Sequence, residues 1–203
     1  MTRTVGEISI SLDGFVTGPD PGLDNGLGDG GEALHTWVFS DDPVDRALLR
    51  SATAATGAVV LGRGLFDIVD GPHGWTDELG YGGSEAATPA FFVVTSDPPT
   101  TTRLPFWTFV TTGLRDAVAQ ATTAARAAAQ SAGADRDVVL MGGGATVGSA
   151  LDAGLLDELR LHISPVVLAS GTPLFTGARR HALVQRSVTP SSDAVHVVYD
   201  LDR

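Results

Sequence analysis

The sequence contains no lysine and no cysteine, and all 13 of its strongly basic side chains are arginines. Each absence closes off some chemistry. Schiff-base and pyridoxal-phosphate catalysis require a lysine amine, and a Walker P-loop ends in Gly-Lys-Ser/Thr. Thiol nucleophiles, disulfide frameworks, cysteine zinc sites and iron–sulfur clusters all require cysteine. Positive charge is scarce as well: 13 arginines face 24 carboxylates, for a formal net charge of −11. An acidic chain without a long basic run is a poor partner for nucleic acid, because phosphate neutralisation dominates that affinity. Long apolar runs are also missing, and none reaches the ~18 residues of a membrane span. The opening residues Met1-Thr2-Arg3-Thr4-Val5-Gly6-Glu7 put a carboxylate where a signal peptide would carry its apolar core. These features predict a cytoplasmic protein with neither a nucleic-acid nor a membrane partner.

What is present suits a globular core: 203 residues, 43% hydrophobic and only 18% charged. No linker separates two cores and no repeat is visible, so one domain over residues 1–203 is expected. Strands are predicted over residues 5–12, 58–61, 90–95, 106–111, 138–141 and 158–168, the last interrupted or ended by Pro165. Phe15-Val16 reads as a short return to the sheet. Helices are predicted over residues 43–55, with Gly57 as the left-handed stop, over 114–130 and over 145–153, with one helical turn at 65–68. Two Gly-rich loops occupy residues 18–31 and 70–89. Residues 183–188 and 194–201 form a closing antiparallel pair. Strands alternating with helices argue for an α/β fold with a mostly parallel central sheet and an antiparallel C-terminal hairpin.

Three strand ends attract attention, because ligands of open α/β sheets sit at the carboxyl ends of strands. Val138-Val139-Leu140-Met141 feeds Gly142-Gly143-Gly144 and then Ala145-Thr146-Val147. Glycines let a phosphate approach the backbone, and a helix N-terminus offers unpaired N–H groups. Val147 stands where a Gly-x-Gly-x-x-Gly fingerprint has its last glycine, so a tight turn without a ligand is an equal reading. Leu61-Gly62-Arg63-Gly64 adds a permanent cation that can grip phosphate, although an ordinary surface arginine fits the same residues. The strand at 90–95 ends in Thr95-Ser96. Asp13, at the end of the first strand, is a carboxylate beside the long loop, and a turn residue is its ordinary role. The five histidines show no metal-ligand spacing, so no metal is expected, and His162 and His196 read as structural strand residues.

In this order the segments Ile8-Ser9-Ile10-Ser11-Leu12-Asp13-Gly14-Phe15, Val59-Val60-Leu61-Gly62-Arg63, Phe92-Val93-Val94-Thr95-Ser96 and Met141-Gly142-Gly143-Gly144 resemble the dihydrofolate reductase-like superfamily. The likeness is closer to its bacterial branch related to the reductase domain of riboflavin biosynthesis. Residues 157–168 and Gly171-Thr172-Pro173-Leu174-Phe175 fit as well.

The resemblance implies a three-layer fold and NADPH, or NADH, as donor of hydride to a small heterocyclic substrate, as in 5-amino-6-(5-phosphoribosylamino)uracil reductase. It implies cofactor contacts at Gly62, Arg63, Thr95, Ser96, Gly142, Gly143, Gly144, Ala145, Thr146 and Val147. It places the Asp13–Val16 segment, with Phe15, and the loop from Gly18 to Trp37 on the nicotinamide and substrate side. Asp13 is the candidate for proton handling or substrate hydrogen bonding, and Trp37 and Phe39 either wall an aromatic substrate or anchor the loop as core residues. It further implies a homodimer, with Val195, Val197 and Val198 on the pairing hairpin.

Asp97 departs from the pattern, standing where relatives carry a basic residue, with Arg103 or Arg115 as possible replacements. Asp41, Asp42 and Asp45 are the nearest candidates for the first-helix acid that meets a pterin in dihydrofolate reductases, and none aligns with it, which argues against folate as substrate. A nucleotide-binding module of the same fold without turnover is the alternative reading.

Overall fold

The structure, a computed structural model, describes residues 1–76, 78–83, 87–177 and 179–201. Ten strands and four α-helices appear in the order β1 (Thr4–Ser11), β2 (Phe15–Thr17), a 3-10 helix (Gly31–Phe39), α1 (Pro43–Ala55), β3 (Thr56–Gly62), α2 (Arg63–Val69), β4 (Ala90–Val94), β5 (Trp107–Val110), α3 (Leu114–Ala132), β6 (Asp137–Met141), α4 (Gly144–Asp152), β7 (Glu158–Ser164), β8 (Thr172–Pro173), β9 (Leu183–Pro190) and β10 (Val195–Leu201). Eight of the strands make one sheet in the order β5-β4-β3-β6-β1-β7-β10-β9. Its first six pair in parallel, and β10 and β9 add an antiparallel edge. This is the α/β architecture that the sequence predicts. Because β6 is inserted between β3 and β1, the turn after β6 lies between the ends of those two strands.

Local sequence explains most elements. Asp42 caps α1, accepting the Val44 N–H at 2.7 Å, and Pro43 occupies the first turn, where a missing N–H costs nothing. The buried stripe of α3 is Ala117, Val118, Ala121 and Ala125, small residues that let the helix lie close to the sheet. Pro165, which lacks an N–H, follows the last residue of β7.

Several sequence expectations are corrected. Gly57 lies inside β3, because α1 ends directly into the strand. A side chain there would stand 2.8 Å from the Ala125 Cα, so the glycine serves the close approach of α3. Phe15-Val16 does not rejoin the main sheet, since β2 pairs with β8 in a separate ribbon. The 3-10 helix and β8 have no counterpart in the sequence reading. The single turn at 65–68 extends to the whole of α2.

The two sheet faces differ. One is apolar throughout: Ile8, Ile10, Val60, Phe92, Leu140 and Leu159 pack against α3 and α4. The opposite face is apolar only on the β3–β4 side, where Val59, Leu61, Phe91 and Val93 meet Phe66, Val69 and Tyr81. Phe91, 1% exposed, is ringed by Trp75, Tyr81, Phe106 and Trp107 with centroids within 6.2 Å. Burying such a ring contributes about 1.5–3 kcal/mol. Toward β1, β7 and β10 this face turns polar beneath the 3-10 helix, and its residues bear on function.

Candidate functional site

The carboxyl ends of β3, β4 and β6 bring two glycine turns and a polar corner together. Gly142 and Gly143 have φ of 57° and 70°, a region that favours glycine, and the turn they make delivers the chain into α4. The Gly62 turn lies against it, since a Cβ on Gly62 would stand 2.6 Å from the Thr146 Oγ1. Gly144 is fixed by packing: a Cβ there would fall 2.6 Å from the Leu174 carbonyl oxygen and 2.7 Å from that of Pro173. The N–H groups of Thr146 and Val147 both donate to the Gly143 carbonyl oxygen, at 2.9 and 3.2 Å. Those of Gly143, Gly144 and Ala145 find no acceptor among the described residues. Three such donors at a helix N-terminus make a site suited to an anion.

Arg63 borders this cradle. Its Nε donates to Asp67 Oδ1 at 2.7 Å and one terminal nitrogen donates to the Asp97 carbonyl oxygen. The other terminal nitrogen has no acceptor among the described residues. Arg63 therefore ties the Gly62 turn to the exposed corner Thr95-Ser96-Asp97, where the Asp97 N–H donates to Thr95 Oγ1 at 3.2 Å. Arg103 does not reach this corner. Its guanidinium donates to the carbonyls of Val69, Asp70, Gly71 and Trp75, behind α2. Arg115 donates to the Ala153 carbonyl at 3.3 Å, at the far end of α4.

A family model describing the RibD C-terminal domain matches residues 5–197. The chain belongs to the RibD C-terminal domain family. The uncharacterized protein YyaP of Bacillus subtilis (strain 168) is 38% identical over 66 residues, which is 32% of this chain and 35% of that protein. Among solved structures, a diaminohydroxyphosphoribosylaminopyrimidine deaminase/5-amino-6-(5-phosphoribosylamino)uracil reductase from Thermotoga maritima superposes with a TM-score of 0.62 at 12% identity, covering 99% of this chain and 57% of that one. Dihydrofolate reductase from Enterococcus faecalis, complexed with NADP(H), gives 0.53 at 14% identity over 99% and 97% of the two chains. At these identities the structural matches show the dihydrofolate reductase-like fold.

The remaining site residues of this RibD-type domain fall in different settings. Both oxygens of Asp13 accept backbone N–H groups, Leu168 at 3.1 Å and Ala169 at 2.8 Å. Its Ser11 neighbour and these amides hold the carboxyl below the usual aspartate range. Phe15 is half-buried in β2. Trp37 is 5% exposed, and its indole N–H donates to Ser9 Oγ at 2.9 Å. Phe39, two residues on, is 62% exposed, so the two rings do not form a common wall. Val147 is fully buried in the core and its amide is already bonded, which leaves it nothing to offer a ligand directly.

A buried polar chain lies beneath Trp37. Asp45 Oδ1 bonds His196 Nε2 at 2.8 Å, the two histidines meet Nδ1 to Nδ1 at 2.7 Å, and His162 Nε2 reaches Glu7 Oε1 at 3.3 Å. Burial pushes Glu7 up, but its bond to His162 and the charges around it leave the carboxyl below its ordinary value. Burial lowers His196 against the opposing pull of Asp45. Sequence reasoning treated each histidine alone. The signal it passed over was polar alternation in strands that parallel pairing should bury on both faces: Glu7, Ser9 and Ser11 on β1, and Glu158, Arg160, His162 and Ser164 on β7.

Proposed function

We propose that this RibD-type domain is a nicotinamide-dependent reductase of a small heterocycle, with an activity similar to that of 5-amino-6-(5-phosphoribosylamino)uracil reductase. The observation that supports it most is the trio of acceptor-free amides on Gly143, Gly144 and Ala145 beside Arg63. A nicotinamide dinucleotide fits that donor set, because its diphosphate needs N–H groups and a cation and the glycines leave the backbone open. When bound, such a cofactor supplies hydride.

The protein's own residues bind and orient. The amides and the free nitrogen of Arg63 would hold phosphate, and Thr95 and Ser96 would meet the adenosine side. Asp97 brings a carboxylate close to that corner, while Arg103 and Arg115 are engaged elsewhere, so NADPH is expected to hold only a narrow margin over NADH. Asp13, ionised and bonded to two amides, would fix the loop after β7 and so shape the substrate side, with Phe15 two residues on. Asp45 is fully buried against His196, which speaks against a folate substrate that must meet a first-helix acid.

The same occupancy of Asp13 favours the second reading, a nucleotide-binding module without turnover, since this acid has no proton to give at neutral pH. Oxidation of bound cofactor on addition of pterins, flavins or aminopyrimidine ribotides separates the two readings.

Titration with NADPH and with NADH, followed by nicotinamide fluorescence, should show saturable binding. Binding of neither dinucleotide removes the proposal. Arg63→Ala should weaken binding by about 1–3 kcal/mol, the worth of a charge-assisted contact, and an unchanged affinity takes Arg63 out of the site. Homodimer formation belongs to the same proposal. On the edge hairpin Val184, Val188 and Val195 are 51%, 48% and 38% exposed, whereas Val197 faces inward at 5%. Light scattering should give twice the chain mass.

A further inference from the structure

The polar chain under Trp37 belongs to no part of the glycine-turn site, and its proton inventory is unusual. Asp45 comes from α1, His196 from β10, His162 from β7 and Glu7 from β1. These four groups make three hydrogen bonds in series, and each bond needs one proton between its two heavy atoms. The chain therefore requires three protons. In water at about pH 7.5 the same groups hold close to two, one on each neutral imidazole and none on either carboxylate. With only two, one contact would set two lone pairs facing at hydrogen-bond distance. With four, a contact would set two protons against each other.

We propose that the folded protein captures one additional proton in this chain, and that the proton fastens α1 and the 3-10 helix to the sheet. Three observations bear on the fastening. Asp45 is the only fully buried residue of α1. The Trp37 ring lies 4.2 Å from the His162 ring and 5.1 Å from that of His196. Ser164 Oγ donates to the Leu34 carbonyl of the same 3-10 helix at 3.0 Å.

The surrounding charges hold Glu7 ionised and, on the His196 side, oppose the burial that lowers that ring. Arg160 stands 3.8 Å from Glu7 Oε2. Asp42, at the start of α1, adds negative charge on the His196 side. Against the pair stands His35 of the 3-10 helix, which burial keeps neutral near pH 7. Tyr81 stays protonated near Glu7, and β9 offers uncharged Thr189 opposite His196. Two flanking carboxylates thus compensate a positive charge shared by the rings, whichever ring carries it. Once the unfolded histidines are neutral, the folded state holds one proton more than the unfolded state. Stability then falls with rising pH. The unfolding constant grows tenfold per pH unit from the value at which the unfolded histidines become neutral up to that at which the folded chain gives up its proton, and levels off above it.

The proposal stands whether or not the domain binds a nicotinamide, and it is tested on the unliganded full chain. Nitrogen-15 spectra of histidine-labelled protein at pH 7.5 should show three N–H protons on the rings of His162 and His196, one of them far downfield between the Nδ1 atoms. Urea unfolding in weakly buffered solution at the same pH should release about one proton more than unfolding of the Asp45→Asn variant. In that variant the amide can donate to His196 Nε2, so two ring protons satisfy all three bonds. Only two N–H protons on the rings, or equal release by both proteins, overturns the proposal. If Asp45→Asn does not fold, the proton count in the unsubstituted protein still decides.

Discussion

Single atoms decide what the glycine turns can do. Gly144 has ordinary φ, yet any side chain there meets the carbonyl oxygens of Pro173 in β8 and of Leu174 just after it. Backbone atoms cannot rotate away, so Gly144→Ala should cost about 1–3 kcal/mol, as overpacking does, read as a lower urea midpoint with unchanged slope. Dinucleotide affinity should fall with it, because the amides at 143–145 would shift. The residue was legible in the sequence as a ligand glycine. Its packing role was not, because β8 lies about thirty residues further on and carries no strand signal in Thr172-Pro173. Asp13 shows the converse. Its place at a strand end was readable, whereas its two amide partners depend on the path of the chain after β7.

Among the elements, the parallel strands and α3 were readable because each carries its own period and stop signals. The 3-10 helix was not. Its apolar residues Leu34 and Trp37 lie three apart after a run of glycines, and they mark a buried turn only once the polar face of β1 and β7 exists to receive them. That face is joined at its far end by ion pairs, with Glu158 of β7 bonded by Arg3, Arg160 and Arg186. Glu158 is 1% exposed, while Arg3 and Arg186 are about two-fifths exposed and also reach Asp137 and Asp200. Deleting the carboxylate leaves Arg160 with only a distant partner in Glu7. Glu158→Ala should therefore lower stability by about 3 kcal/mol, the low end for breaking a buried pair because two of the arginines are partly solvated. Chemical denaturation at neutral pH measures it, and a loss below half a kcal/mol would show that the arginines re-pair without strain.

For the molecule as a whole, acid is the harsher condition. His35 is pushed down to about 4 from the usual 6.5, first by burial and then by the charge of His162, and its Nδ1 is sealed from solvent without a partner. Between those two values the unfolded chain binds a proton that the folded chain refuses, so stability falls as pH drops through that interval. At about 1.4 kcal/mol per pH unit the loss approaches 3 kcal/mol. Urea midpoints from pH 7 to pH 4 should show it, and His35→Leu should flatten the slope. The lid over the polar face is held differently from the sheet. Its helix α1 buries an aspartate most deeply, with Val44, Leu48, Leu49 and Ala52 half-buried around it. The hydrogen bond between Asp45 and His196 and that from the Ser192 N–H to Asp42 are among the contacts its lifting must break. Opening the interior beneath Trp37 therefore exposes less fully buried apolar surface than separating β1, β3 and β6, which are buried along nearly their whole length, and local opening at the lid should precede any at the sheet.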